Sequence, residues 1–244
     1  MKDVKGFYHE PKGQSTGGQF TGERDVSNKA NDELNAARGK SKEQLQDEQR
    51  REIKKPEPTV IDAATGVEKL EDKPTKEFTS ALTNAKAAVE KERPEDAWRV
   101  DSPSAEEFDE YHPGAKKYIT QGGSTFAVTS DGDIVGVCRK KGDSKRGHDL
   151  LKIAVANGGK KLDSYEGNHK FYTRNGFEPV SWCKWDDEFT PPGWKAGRDE
   201  KEDVIFYKYV GKPISESIED FKARVPVSAD YGAAQKLRDE GIKK

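Results

Sequence analysis

A basic, glycine-containing loop is the part of this sequence whose residue types could bind an anion. Residues 139–148 read Arg-Lys-Lys-Gly-Asp-Ser-Lys-Arg-Gly-His, and the apolar residues that follow predict a helix over residues 144–157. The first N–H groups of a helix have no intrahelical partner and attract negative charge. A solvated surface loop is the alternative interpretation. The residues at this helix start are Lys145, Arg146, Gly147 and His148.

Acid–base chemistry would need a group that titrates near neutral pH or a nearby carboxylate. His148 is one candidate, because an imidazole has a suitable pKa. The strand predicted over residues 134–138 contains no acidic residue, so Asp133 just before it is the other candidate. Cys138 and Cys183 fall on separate predicted strands without paired ligand spacing, so we expect buried thiols and no metal site.

The elements around these residues predict a mixed α/β (α+β) fold with a mostly antiparallel sheet. An Asp-Gly turn between two β-rich runs is a strong hairpin signal, and a capping-box pattern starts a short helix at Ser104. The remaining pattern predicts strands over residues 160–165, 177–185 and 203–210, a helix over 168–175, and a hairpin over 124–138.

Composition places the folded core in the second part of the chain. The chain has 244 residues, of which 32% are hydrophobic and 36% charged, so one core using the whole length is not expected. Only four of the 22 aromatic residues precede residue 96. We therefore predict a boundary near residues 91–96, with a domain over residues 96–211 and a helical tail over 212–244.

The polar arm of residues 1–95 contains two predicted helices separated by a linker. Residues 41–53 have almost no apolar stripe, whereas Phe78 and Leu82 lie on an apolar face of a helix over residues 75–91. That face needs a partner surface, either on the following domain or on a neighbouring chain. Three prolines indicate an extended linker over residues 56–74.

Charge and hydropathy exclude several classes of partner. Formal net charge is -2, so no global attraction to nucleic acid or to an anionic membrane is expected. No apolar run is long enough for a membrane span, and the first residues lack the apolar region of a secretory signal. We expect no membrane contact and no specific nucleic-acid site.

The order of elements and one motif resemble the GNAT superfamily of acyl-CoA-dependent N-acetyltransferases. Residues 171–177, Phe-Tyr-Thr-Arg-Asn-Gly-Phe, are similar to its Phe-Tyr-x-x-x-Gly-Phe signature. The resemblance covers residues 96–211 and is greatest to short GNAT-like proteins of bacteriophage structural-gene modules. In addition, residues 9–20 resemble short tags on proteins of phage head-gene modules.

The resemblance implies an acetyl-CoA site with Tyr172 as the acid that protonates the leaving thiolate. His148 is the companion catalytic candidate, and the backbone of Val137 would stabilise an oxyanion. Residues 144–149 stand where the family has its pyrophosphate loop, but only Gly147 fits the family pattern there. Asp149 places a carboxylate where a phosphate should approach. The implied cofactor-binding residues are Val137, Lys145, Arg146, Gly147 and His148, and no metal is implied.

Two functions follow as hypotheses. The first is a virion-associated phage protein, made in the host cytoplasm, whose GNAT-like domain is a non-catalytic scaffold and whose residues 1–95 bind head, portal or tail proteins. The alternative is an active acetyl-CoA-dependent N-acetyltransferase acting on an unidentified amine. A host-directed effector delivered with the genome is a third hypothesis that no residue selects. Because the loop is degenerate and the arm is long, we rank the first hypothesis slightly higher.

Overall fold

The computed structural model describes residues 68–242, which form a mixed α/β unit with two small antiparallel sheets. The helix predicted over residues 41–53 and the tag-like residues 9–20 lie outside the described residues. The helices are α1 (Thr75–Glu92), α2 (Pro94–Ala97), α3 (Ala105–Tyr111), α4 (Gly147–Ala156), α5 (His169–Arg174), α6 (Ile218–Arg224) and α7 (Tyr231–Ile242). The strands are β1 (Lys116–Ile119), β2 (Thr125–Val128), β3 (Ile134–Cys138), β4 (Lys161–Tyr165), β5 (Phe177–Cys183) and β6 (Val204–Tyr209).

Sheet I has the order β1-β2-β3, and sheet II has the order β4-β6-β5. The hairpin predicted around Ser130–Gly132 is confirmed, with Val128 opposite Ile134. The predicted single sheet is therefore two three-stranded sheets, and β1 is a strand that the sequence pattern did not reveal. Its short run, Lys-Lys-Tyr-Ile, has only one fully buried residue, so its apolar signal is weak.

The main core lies between α4, α5 and one face of each sheet. Phe126 and Ile134 come from sheet I, Phe177 and Tyr207 come from sheet II, and Leu150 comes from α4. All five residues are almost completely buried. The two sheets thus share one hydrophobic core, although they have separate hydrogen-bond ladders.

The opposite face of sheet I is covered by α1 and α3. Phe78 and Leu82 of α1 pack with Phe108 of α3 against Ala127 and Cys138 of the sheet. The predicted helix over residues 75–91 is confirmed, and its partner surface is this sheet. The predicted boundary at residues 91–96 therefore falls within one packed unit of the described chain.

Side-chain caps begin two of the described helices, α3 at Ser104 and α6 at Ser217. Ser104 accepts the N–H of Glu107 and Glu107 accepts the N–H of Ser104, which is the predicted capping box. By contrast, α4 begins at Gly147 rather than at the predicted Ser144, because the side chain of Asp143 holds the preceding residues in a loop. The predicted helical tail contains two helices, α6 and α7, which start at Ile218 and Tyr231.

Candidate functional site

The two sheets meet at a single parallel bridge between the starts of β3 and β4. Asp133 is bridged to Lys161, and the carbonyl of Gly132 accepts N–H groups of Lys160 at 2.8 Å and Lys161 at 3.2 Å. Among residues 68–242, no further ladder joins β3 to β4. The two strands, connected through α4, therefore have unpaired edges beyond this bridge.

A β-bulge interrupts β3 beyond the bridge to β4, where the edge of β3 that faces away from β2 is unpaired. Thr125 is opposite Cys138 and Ala127 is opposite Val135, so Gly136 and Val137 together face a single residue. Gly136 has φ +61°, and its carbonyl accepts the Thr125 hydroxyl at 3.0 Å. Val137, predicted to bind cofactor, is partly buried against the main core.

Asp143 organises the basic loop from inside. Its carboxylate accepts the Thr120 hydroxyl, the Ser124 N–H at 3.2 Å and the Lys145 N–H at 2.8 Å. Burial alone would raise the pKa of Asp143, but hydrogen bonds from Ser124, Thr120 and Lys145 outweigh it and lower that pKa. The side chain of Arg139, the first residue of the loop, donates a hydrogen bond to the carbonyl of Lys145 at 3.0 Å. The loop is thus fixed by its own polar groups.

Three polar groups of Lys145 and Arg146, both predicted to bind pyrophosphate, already have partners within the chain. Lys145 Nζ lies 2.6 Å from the carboxylate of Glu68. The N–H of Arg146 donates to Asp149 Oδ2 at 2.8 Å, so the carboxylate of Asp149 covers this helix start. A Cβ on Gly147 would lie 2.9 Å from Cζ of Phe171, so packing against an aromatic ring accounts for this glycine.

His148 lies at the surface on the first turn of α4. Its side chain is 46% exposed, and Nε2 is 3.2 Å from the Asp149 carboxylate. It lines a shallow groove of about 200 Å³ between α4 and the residues that follow α5, together with Lys152, Arg174 and Tyr209.

Tyr172 lies within the core. It is 8% exposed and is packed against Phe171, Phe177 and Tyr207, at centroid distances of 5.2, 6.1 and 5.4 Å. The pKa of Tyr172 is raised to about 12, because burial and the charge of Asp163 raise it by more than a hydrogen bond with Ser164 lowers it. The phenol therefore stays protonated at neutral pH.

Asp133, the second candidate base, is held in an ion pair. Arg238 of α7 is fully buried, and its Nη2 donates to Asp133 Oδ2 at 2.9 Å. Lys161 is paired with Asp131 at 2.6 Å and with Asp239 at 2.9 Å in the same region. The Asp133 carboxylate is thus engaged by a buried guanidinium of α7.

His169, the first residue of α5, is a buried histidine with a structural role. His169 is 3% exposed, with Nδ1 3.3 Å from the Tyr207 hydroxyl and Nε2 2.9 Å from the carbonyl of Glu216. Because a carbonyl only accepts, Nε2 carries the proton and Nδ1 accepts from Tyr207. His169 thereby attaches the segment before α6 to α5. Its chain position gives no signal of this long-range contact.

The two cysteines are free and buried, as the sequence predicts. Burial raises the pKa of Cys138 to about 11 and that of Cys183 to about 12, so both stay thiols. In the part of the chain that the structure describes, no group of three His, Cys, Asp or Glu side chains is arranged to hold a metal ion. Within the same residues, no helix is both long and apolar enough to cross a membrane.

Comparison with known proteins gives no relatives. No protein family, no curated protein and no solved structure matches the chain.

Proposed function

We propose that this chain is a virion-associated bacteriophage protein whose GNAT-like domain is a non-catalytic scaffold. One observation carries the proposal: carboxylates of the chain itself occupy the Lys145 ammonium and the N–H groups of Lys145 and Arg146, in the loop that would hold pyrophosphate. Asp149 accepts the Arg146 N–H, Asp143 accepts the Lys145 N–H, and Glu68 pairs with Lys145 Nζ. Negative charge at these positions repels a phosphate.

The candidate catalytic groups support the same proposal. The Tyr172 ring is buried among aromatic side chains and Asp133 is bound to Arg238, whereas His148 is on the solvent side of α4. A general base and its acid must reach the same reacting atoms. This arrangement offers a proton donor in the core and a base at the surface.

The phage assignment is supported by the sequence resemblance of residues 9–20 and 96–211. On this proposal, residues 1–95 bind head, portal or tail proteins, and α1 connects them to the scaffold because it packs on sheet I. An antibody against the domain should detect the full chain in gradient-purified particles of the phage that encodes it. Detection only in the unassembled lysate fraction would contradict the virion assignment.

An active N-acetyltransferase is the second candidate, and the bulge in β3 is the observation that favours it. Bulges next to unpaired strand edges frequently re-aim groups at active sites. Titration calorimetry of the full chain with acetyl-CoA separates the two candidates. We expect no binding heat and no release of CoA thiol with a panel of primary amines. Micromolar binding together with amine-dependent thiol release would establish the enzyme instead.

A further inference from the structure

Two adjacent residues of α7 contact opposite sheets. Arg238 Nη2 donates to Oδ2 of Asp133, the residue that directly precedes β3 in sheet I, at 2.9 Å. Asp239 Oδ1 accepts Nζ of Lys161, the first residue of β4 in sheet II, also at 2.9 Å. The Arg238 Nε group donates to Asp239 Oδ1 at 3.0 Å. A continuous chain of ion pairs through α7 therefore links the two sheets.

These ion pairs are centred on the bridge between the sheets. Asp133 and Lys161, the two residues that α7 contacts, are also the two residues that form the parallel bridge. Sheet I and sheet II have separate hydrogen-bond ladders in the described part of the chain. Opening the bridge consequently requires neither ladder to break.

The contacts that dock α7 are largely polar. Its buried residues are Ala234 and Arg238, whereas Leu237 is 52% exposed. The main aromatic contact of the helix is that of Tyr231 with Phe206, at a centroid distance of 4.8 Å. Because an element with few buried apolar side chains opens at a lower free energy than the core, α7 is a candidate for opening while the sheets stay folded.

Burial of charge couples the release of α7 to the opening of the bridge. The side chain of Arg238 has no exposed surface, and that of Asp133 is 9% exposed. If α7 left alone, the Asp133 carboxylate would stay buried without its guanidinium partner, which is strongly unfavourable. If the bridge opens at the same time, water hydrates both charges and offsets much of the lost attraction. The opening of lowest free energy therefore includes both events.

We propose that α7 is a detachable clamp: its release and the opening of the bridge are one cooperative event, in which the sheets separate at β3 and β4 while both ladders remain intact. The clamp is a conformational device of the fold and does not depend on the proposed function. A partner that binds α7 only in its released form shifts the molecule towards the open state by its difference in affinity for the two states.

The test is native-state hydrogen exchange of the full chain, followed at individual amides by NMR. The Arg238 amide reports on α7, and the Lys160 amide, which donates to the carbonyl of Gly132 at 2.8 Å, reports on the bridge. The Tyr207 amide in the central strand β6 reports on the ladders. The protection factors of Arg238 and Lys160 should agree within about twofold and be at least about tenfold below that of Tyr207. Protection factors that differ between Arg238 and Lys160, or that are equal at all three amides, overturn the proposal.

A variant away from the bridge tests whether the two events are coupled. Ser181 Oγ of β5 donates to a carbonyl of α7 at 2.6 Å. Ser181→Ala should therefore lower the protection of the Arg238 and Lys160 amides by the same factor, about threefold or more. Ser124→Ala is the matched control, because this serine is equally buried and its hydroxyl accepts a backbone N–H at 3.0 Å within sheet I.

The control variant should leave the protection of both amides unchanged. A loss of protection at Arg238 alone in Ser181→Ala, or equal losses in the two variants, would show that no coupled opening exists. If Ser181→Ala does not fold, the comparison of the three amides in the wild type decides the matter by itself.

Discussion

Charged residues are buried where the two sheets meet. Arg238 has no exposed surface, and its guanidinium lies beside Asp133 and stacks over Phe206 at 5.6 Å. The surrounding carboxylates raise the pKa of Arg238 well above its usual range, although burial alone would lower it. The arginine therefore stays charged at any pH at which the protein folds. Burial of the Asp133 carboxylate depends on this positive charge.

Arg238→Met should destabilise the protein by about 3–5 kcal/mol, because it leaves a buried carboxylate without its partner. Urea denaturation followed by tryptophan fluorescence measures the change. Lys236→Met on the same helix is the control, since Lys236 is 78% exposed and 4.0 Å from Glu240. A loss below about 1 kcal/mol for Arg238→Met would mean that the Asp133 carboxylate is reached by water.

Gly147 is a position where packing, rather than ligand approach, excludes a side chain. Gly147→Val should cost about 1–3 kcal/mol, because the new Cβ meets the ring of Phe171. Phe171→Ala in the same chain should recover part of that loss, as thermal melts of the single and double variants would reveal. Additive losses would contradict the assigned contact.

At the scale of elements, the basic loop is held by a carboxylate with a lowered pKa. Such a group stabilises the fold above the pKa of the unfolded chain, about 3.9 for aspartate, and this stabilisation is lost as the pH falls through the lower folded value. The difference in unfolding free energy between wild type and Asp143→Asn should therefore shrink as the pH falls from about 5 to about 2. The exposed Glu106→Gln serves as control, and a pH-independent difference would contradict the role of Asp143.

Helix α1 contributes core packing despite its polar composition. Leu82 is 1% exposed against sheet I, so Leu82→Ala should cost about 2–5 kcal/mol. Thr83→Ala at the neighbouring exposed position should change stability by less than about 0.5 kcal/mol. Equal effects in chemical denaturation would mean that α1 is not part of the cooperative unit.

Patterns local in sequence predicted the hairpin, the capping box of α3 and the apolar stripe of α1. They could not predict β1, because its pairing with β2 matters more than its own apolar content. The candidate functional site was predicted less well, because its contacts also join residues that are far apart in the sequence. Partners of Asp133 and Lys145 lie 105 and 77 residues away along the chain, and no spacing rule links residues at such separations.

For the whole molecule, packing of α1 sets where a minimal folded fragment must begin. A fragment of residues 68–242 should give a cooperative melt and near-ultraviolet circular dichroism, whereas residues 96–242 should not. Loss of α1 exposes the face of sheet I that carries Ala127 and Cys138. A cooperative melt of the shorter fragment at an unchanged temperature would support the predicted domain boundary near residue 96.

The junction at Asp133 also has a consequence for the growing polypeptide. Arg238 follows Asp133 by 105 residues, so at about 5–20 residues per second a ribosome adds the guanidinium roughly 5–20 s after the carboxylate. Until then, the Asp133 carboxylate lacks the buried cation that it has in the folded protein. Docking of α7, the last described helix, therefore completes this junction, and it does so only after both sheets have been synthesised.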